Sequence, residues 1–191
     1  ADPEGCNHVD ERTQAVIRRN IVFANGFGPA PLENQGGIAV DGVGLPDEPV
    51  IIEGNVVFGS RVAGIGVRNE YAGISRGFVR DDTHALIFGN RTFANAETGI
   101  SCKGSSRGPS HCTVVGNDSY WNDDAGVAFV GGARGSALHN VSACNYSAGF
   151  MTLDSEGVAL LNNIAYFNVA AGIVDPGEHD FNVLSGNGGW G

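Results

Sequence analysis

Residues 116–129 read GNDSYWNDDAGVAF, and the same spacing returns at 139–153 as HNVSACNYSAGFMTL and at 162–175 as NNIAYFNVAAGIVD. Each stretch has an Asn, a second Asn five residues on, and a Gly nine on from the first. Taken alone, the first stretch suggests an acidic turn or a metal-binding loop. A pattern that recurs describes architecture instead. Followed outward, the first Asn occurs at 20, 55, 90, 117, 140, 163 and 182. The second occurs at 25, 95, 122, 145, 168 and 187, with Ser60 in the second copy. The Gly falls at 64, 99, 126, 149 and 172, and an insertion around FGPAPLENQG delays it to position 37 in the first copy.

Within each copy apolar residues alternate over short runs, as in Ile21 and Phe23, Val56 and Phe58, or Ile164 and Tyr166. Period two is the signature of a strand. Three short strands fit in each copy: one before the first Asn, one between the two Asn, and one after the Gly. Copies 19 to 35 residues long leave no room for helices. A coil of this length cannot cover its own apolar face and gains burial by stacking on its neighbours, which is the logic of a solenoid. The reading is all-β, with residues 1–15 as an N-terminal tail and 16–191 as one solenoid domain. Ile65, Ile100, Val127, Phe150 and Ile173 are expected in one inward column, and Tyr120 is expected in the core.

The pattern N-x4-N-x3-G-[IVF]-x-[VF] resembles the right-handed parallel β-helix of the pectate-lyase-like superfamily, over roughly residues 15–187. The resemblance implies a single-stranded right-handed parallel β-helix of about seven coils. It also implies a structural ladder of Asn20, Asn55, Asn90, Asn117, Asn140 and Asn163, each in a left-handed bend and bonded to the Asn one coil away. That superfamily includes lyases, hydrolases, epimerases and proteins that only bind or build, so fold does not fix function. The N-x-[ST] matches at Asn90, Asn117, Asn140 and Asn145 fall on ladder positions, which a glycosylating enzyme reaches poorly.

The formal charge of −10 opposes nucleic acid and anionic membrane surfaces as partners. No apolar run approaches the roughly 18 residues of a membrane span, which argues against membrane insertion. The start ADPEG, without Met, is read as a processed mature chain or an excised domain, and a secreted or cell-surface location is expected. Cys102 and Cys112 bracket the polar loop KGSSRGPSH, whose ends a disulfide can close. Cys6 and Cys144 are left as a second bridge or as two free thiols.

Long insertions follow the post-Gly strand three times, at residues 41–49, 68–83 and 103–111, and stacking lines them up as a wall. Residues 61–107 hold seven basic side chains against four acidic ones, a local balance of +3 that leaves −13 elsewhere. Such asymmetry steers a polyanion. Asp41, Arg68 and Lys103 occupy equivalent positions in three successive coils and form the candidate catalytic set: a cation to neutralise a uronate carboxylate and a base for the adjacent proton. Arg76, Arg80, His84, Arg107 and His111 are candidate substrate-binding residues, with Tyr71, His84 and His111 as possible acids. The alternative for all of them is a salt-bridged loop wall.

Against an enzyme stands the outward strip Ala39, Gly66, Ser101, Ala128, Met151 and Val174, which is nearly uncharged. Asp175-Pro176-Gly177-Glu178 resembles the Asp-Pro-His of alginate epimerases, with Gly177 in place of the His. No metal-ligand spacing is found and no cofactor is expected, apart from possible calcium at Asp123 and Asp124. Neither end shows a capping helix, which favours head-to-tail association of the protein with itself; binding of acidic polysaccharide beside the loop wall is the alternative.

Overall fold

The computed structural model describes residues 15–25, 36–69, 82–106, 108–174 and 178–188. Among these, twenty short strands follow one another around a coil and no helix occurs. In the first coil the strands are Val16–Arg18, Ile21–Phe23 and Ile38–Asp41. Each pairs in parallel with its counterpart in the next coil, giving two sheets of seven strands and one of six. Sheet 1 holds the strands before the first Asn, sheet 2 those between the two Asn, and sheet 3 those after the Gly. Six coils are complete in all three sheets, and a seventh contributes strands to sheets 1 and 2. The result is the parallel β-helix that the spacing implies.

The core is a stack of identical positions. Ile38, Ile65, Ile100, Val127, Phe150 and Ile173 pair in register along sheet 3. Ile65, Ile100 and Phe150 are wholly buried, and Ile173 packs against the same cluster. Ile52, Ile87 and Leu160 fill the space from sheet 1. Because each coil covers the next, apolar area that one coil leaves open is removed from water by its neighbour.

Both Asn series form ladders. Asn55, Asn90, Asn117 and Asn140 each donate Nδ2–H to the Oδ1 of the Asn one coil on, at 2.9 to 3.0 Å. In the second series Asn95, Asn122, Asn145 and Asn168 do the same at 2.8 to 3.0 Å. The left-handed residue, however, is not the Asn but the one before it. Arg19, His139, Asn162 and Phe181 precede the first Asn with φ between 54° and 56°; Gly54, Gly89 and Gly116 take that place in other coils. A left-handed residue reverses the chain sharply, so the Asn that follows turns its amide inward to the ladder. The Gly nine residues on is required by close approach: a Cβ at Gly99 would collide with Ser119 Oγ, and one at Gly126 with Ser142 Oγ. Asn90, Asn117, Asn140 and Asn145 are at most 2 % exposed, which closes them to glycosylation in the folded chain.

Tyr120 lies outside the core. A three-residue strand between two inward bends has a single inward position, which in this coil is Ser119, 1 % exposed. Tyr120 instead extends an outward stack of Phe23, Phe58 and Phe93, with ring centroids 4.9 to 5.5 Å apart and planes within 12°. The alternation of Ile21 with Phe23 and of Val56 with Phe58 therefore marks the outer face of sheet 2.

Candidate functional site

The disulfide between Cys102 and Cys112 forms, with both sulfurs in the core. Alternation then fixes the residues beside it: Ser101 and Lys103 face outward from sheet 3, and His111 faces outward from sheet 1. The intervening loops are pinned by side-chain bonds to the backbone. Thr83 Oγ1 donates to the Arg68 carbonyl at 3.0 Å and accepts from the Gly42 N–H at 3.1 Å. Ser110 Oγ donates to the Lys103 carbonyl at 2.8 Å. The wall beside sheet 3 is thus tied to the start of sheet 1 in successive coils.

Asp41, Arg68 and Lys103 stand in register on three adjacent strands. Arg68 Nε lies 3.7 Å from Asp41 Oδ2, so Asp41 is held in an ion pair and is a poor choice for the base. A cleft with room for about 120 Å³ opens beside them, lined by Ala39, Gly66, Arg68, Glu97, Ser101 and Lys103 among others. Its floor is open at Gly66, where an added Cβ would meet no atom within 4 Å. The flat strip of small residues is what leaves this space.

Glu97 is the acid that sequence reasoning passed over. Glu97 is exposed as a residue, and only partial shielding of its carboxyl raises the pKa above the ordinary value; the Asp124 carboxylate raises it further, while Lys103 acts in the opposite sense. Glu97 and Asp124 hold the same position in successive coils, joined by a backbone bond from Asp124 N–H to the Glu97 carbonyl at 3.3 Å. Thr98 Oγ1 donates to Asp124 Oδ2 at 3.0 Å. A carboxyl whose pKa is raised, beside Lys103, is a candidate for accepting and returning a proton. The signal was present in sequence: both residues sit two places before the repeat Gly.

Across the wall, His84 and His111 pair in register and stack with ring centroids 4.5 Å apart and planes within 8°. Asp82 Oδ2 lies 3.3 Å from His111 Nε2 and 4.0 Å from His84 Nε2. Burial lowers the His84 pKa, the neighbouring His111 lowers it further, and Asp82 acts the other way. These three are the one set of His, Cys, Asp and Glu among the described residues with the geometry to hold a metal ion. Asp123 and Asp124, considered for calcium, are not part of such a set. Arg76, Arg80, Arg107, Tyr71 and residues 175–177 lie outside the described residues, as does Cys6; Cys144 is a free thiol.

Residues 71–188, more than half of the chain, match the family described as right handed beta helix region. The chain belongs to the right-handed β-helix family. Three all-parallel sheets agree with that family's name and with the pectate-lyase-like architecture implied by the Asn and Gly spacing. No curated protein and no solved structure gave a significant match. For this β-helix protein, function has to be argued from the residues on its surface.

Proposed function

We propose that the outer face of sheet 3 in the first three coils binds acidic polysaccharide. Arg68 and Lys103 hold a uronate carboxylate, and Glu97 takes the proton from the carbon beside it, in the manner of a polyuronate lyase: the electron pair forms the ring double bond and expels the glycosidic oxygen, which takes a proton from water. The observation that carries this reading is the open floor at Gly66, flanked by two cations in register and a carboxyl with a raised pKa. A sugar ring laid on Gly66 and Ser101 meets no bulky side chain, and pairing its carboxylate with an Arg next to a Lys is the sort of charge-assisted contact that survives in water. The disulfide supports a secreted or surface location, where such bonds persist.

Calorimetric titration with short oligouronates, against neutral oligosaccharides of equal length, tests the proposal. Binding of the acidic series alone is expected, with affinity lowered roughly tenfold or more in Lys103→Ala, since a hydrogen bond to a charged group contributes about 1.5–3 kcal/mol. Gly66→Phe should abolish binding while leaving the melting temperature intact. Equal affinity of wild type and Gly66→Phe would place any binding elsewhere.

A second reading, end-to-end stacking of the protein on itself, is favoured by a separate observation. Among the described residues, the first coil exposes Ile21 (71 %) and Phe23 (59 %), and the last exposes Phe181 (74 %) in its bend and Val183 (58 %). Unpaired strand edges with apolar side chains are templates for pairing. Sedimentation at high concentration decides it: association that Ile21→Pro removes supports stacking, and a monomer at all concentrations excludes it.

A further inference from the structure

We propose that Asp82, His84 and His111 form a binding site for one divalent transition-metal ion of the zinc type, on the outer face of sheet 1 and independent of the polysaccharide reading. Two imidazole nitrogens and one carboxylate oxygen, all within 4.8 Å of one another, make the ligand set. The histidines occupy the same position in successive coils, and the helix repeat itself brings their rings together.

The distances are those of a site near closure. Zinc bound at about 2.0–2.1 Å in a tetrahedron places its ligand atoms roughly 3.3–3.4 Å apart. Asp82 Oδ2 and His111 Nε2 are already 3.3 Å apart, and His84 Nε2 stands 4.0 Å from the same oxygen. Closing the tetrahedron requires the two ring planes, now within 8° of parallel, to turn toward one another. His111 Nε2 is buried, yet among the described residues it has no aligned hydrogen-bond partner despite its closeness to Asp82. Ligand atoms around a common ion behave this way, because each points at the centre and not at its neighbour.

The chemistry of the set selects the ion. Calcium and magnesium take oxygen ligands and would leave two imidazoles unused. Imidazole with carboxylate suits zinc and its neighbours, and three protein ligands leave a fourth position for water. The half-buried state of both rings, with side chains 15 % and 28 % exposed, limits competition from solvent. Arg134, in register with His111 one coil on, is exposed.

Chelator-treated full chain titrated with zinc chloride in a calorimeter, and separately with cobalt followed by visible absorption, tests the site. One ion per chain is expected, with the intense absorption of tetrahedral cobalt. His84→Phe and His111→Phe keep a stacked ring while removing the nitrogen, and each should weaken zinc binding by roughly a hundredfold; Asp82→Asn should weaken it at least tenfold. Calcium should give no heat at the same concentrations. Zinc binding that survives the double Phe variant, binding of calcium with equal affinity, or no binding by a wild-type chain of unchanged melting temperature each overturns the proposal.

Discussion

Replacing Asn117 by Ala removes the middle rung of the first ladder, and the structure sets the cost. Asn117 Oδ1 accepts the backbone N–H of Asn90 at 2.8 Å and its Nδ2–H at 3.0 Å. Its own amide donates to the carbonyls of Ile87 and Val115 and to Asn140 Oδ1. In the variant, Asn90 Nδ2 retains the carbonyls of Ile52 and Phe88, and Asn140 Oδ1 retains the backbone N–H of residue 117. The Asn90 backbone N–H loses its partner outright, a penalty of about 1–3 kcal/mol for a buried donor. With the weakened carbonyl bonds and the small void added, the loss is about 3 kcal/mol. Asn20→Ala is the internal control. Asn20 is exposed at the edge, and losing its side-chain bonds to Arg18 O and Asn55 Oδ1 orphans no buried group, so it should cost less than about 1 kcal/mol. Urea unfolding with unchanged m measures both, and the melting temperature of Asn117→Ala should drop by about 6–12 °C. Equal losses at the two positions would refute the ladder as a source of stability.

Ala94 is exposed and adopts φ 51°, so Ala94→Gly should stabilise the chain by about 1 kcal/mol in the same assay. Opening the bridge by changing both Cys102 and Cys112 to Ala should cost about 2.5 kcal/mol, the chain-entropy value for a ten-residue separation. The raised pKa of Glu97 means that the folded chain holds its proton more tightly than the unfolded one. Stability from this group therefore falls as pH rises from its ordinary value through the folded one, and Glu97→Gln should remove that slope. By carboxyl NMR, Asp124→Asn should lower the Glu97 midpoint and Lys103→Ala should raise it.

The repeat was legible because the ladder imposes it. An amide must return at each bend, and a Gly must return wherever the backbone passes under an inward side chain such as Ser119. The inward column through Ile100 was legible for the same reason, since four-residue strands show their alternation. Sheet 2 misled because its three-residue strands bury one small residue and carry larger ones outside, so that Tyr120 looked like core. The left-handed bend was assigned one residue late: backbone reversal at Arg19 or His139 leaves no mark on composition, whereas the Asn it serves does. His84 and His111 are read from sequence as substrate-binding residues and acids and not as a ligand pair, because metal-ligand spacing is usually sought within a few residues, and here the spacing is one coil. Glu97 became a candidate only when the coils were stacked, which put it beside Lys103 and Asp124.

The most direct test of the central claim is a backbone NMR titration of the intact chain with a short oligouronate. The account predicts that the signals of Gly66, Thr98, Ser101 and Lys103 shift together and saturably, and that Gly66→Phe suppresses the shifts. Shifts confined to the edge strands around Ile21 and Val183, or none at saturating ligand, would contradict it.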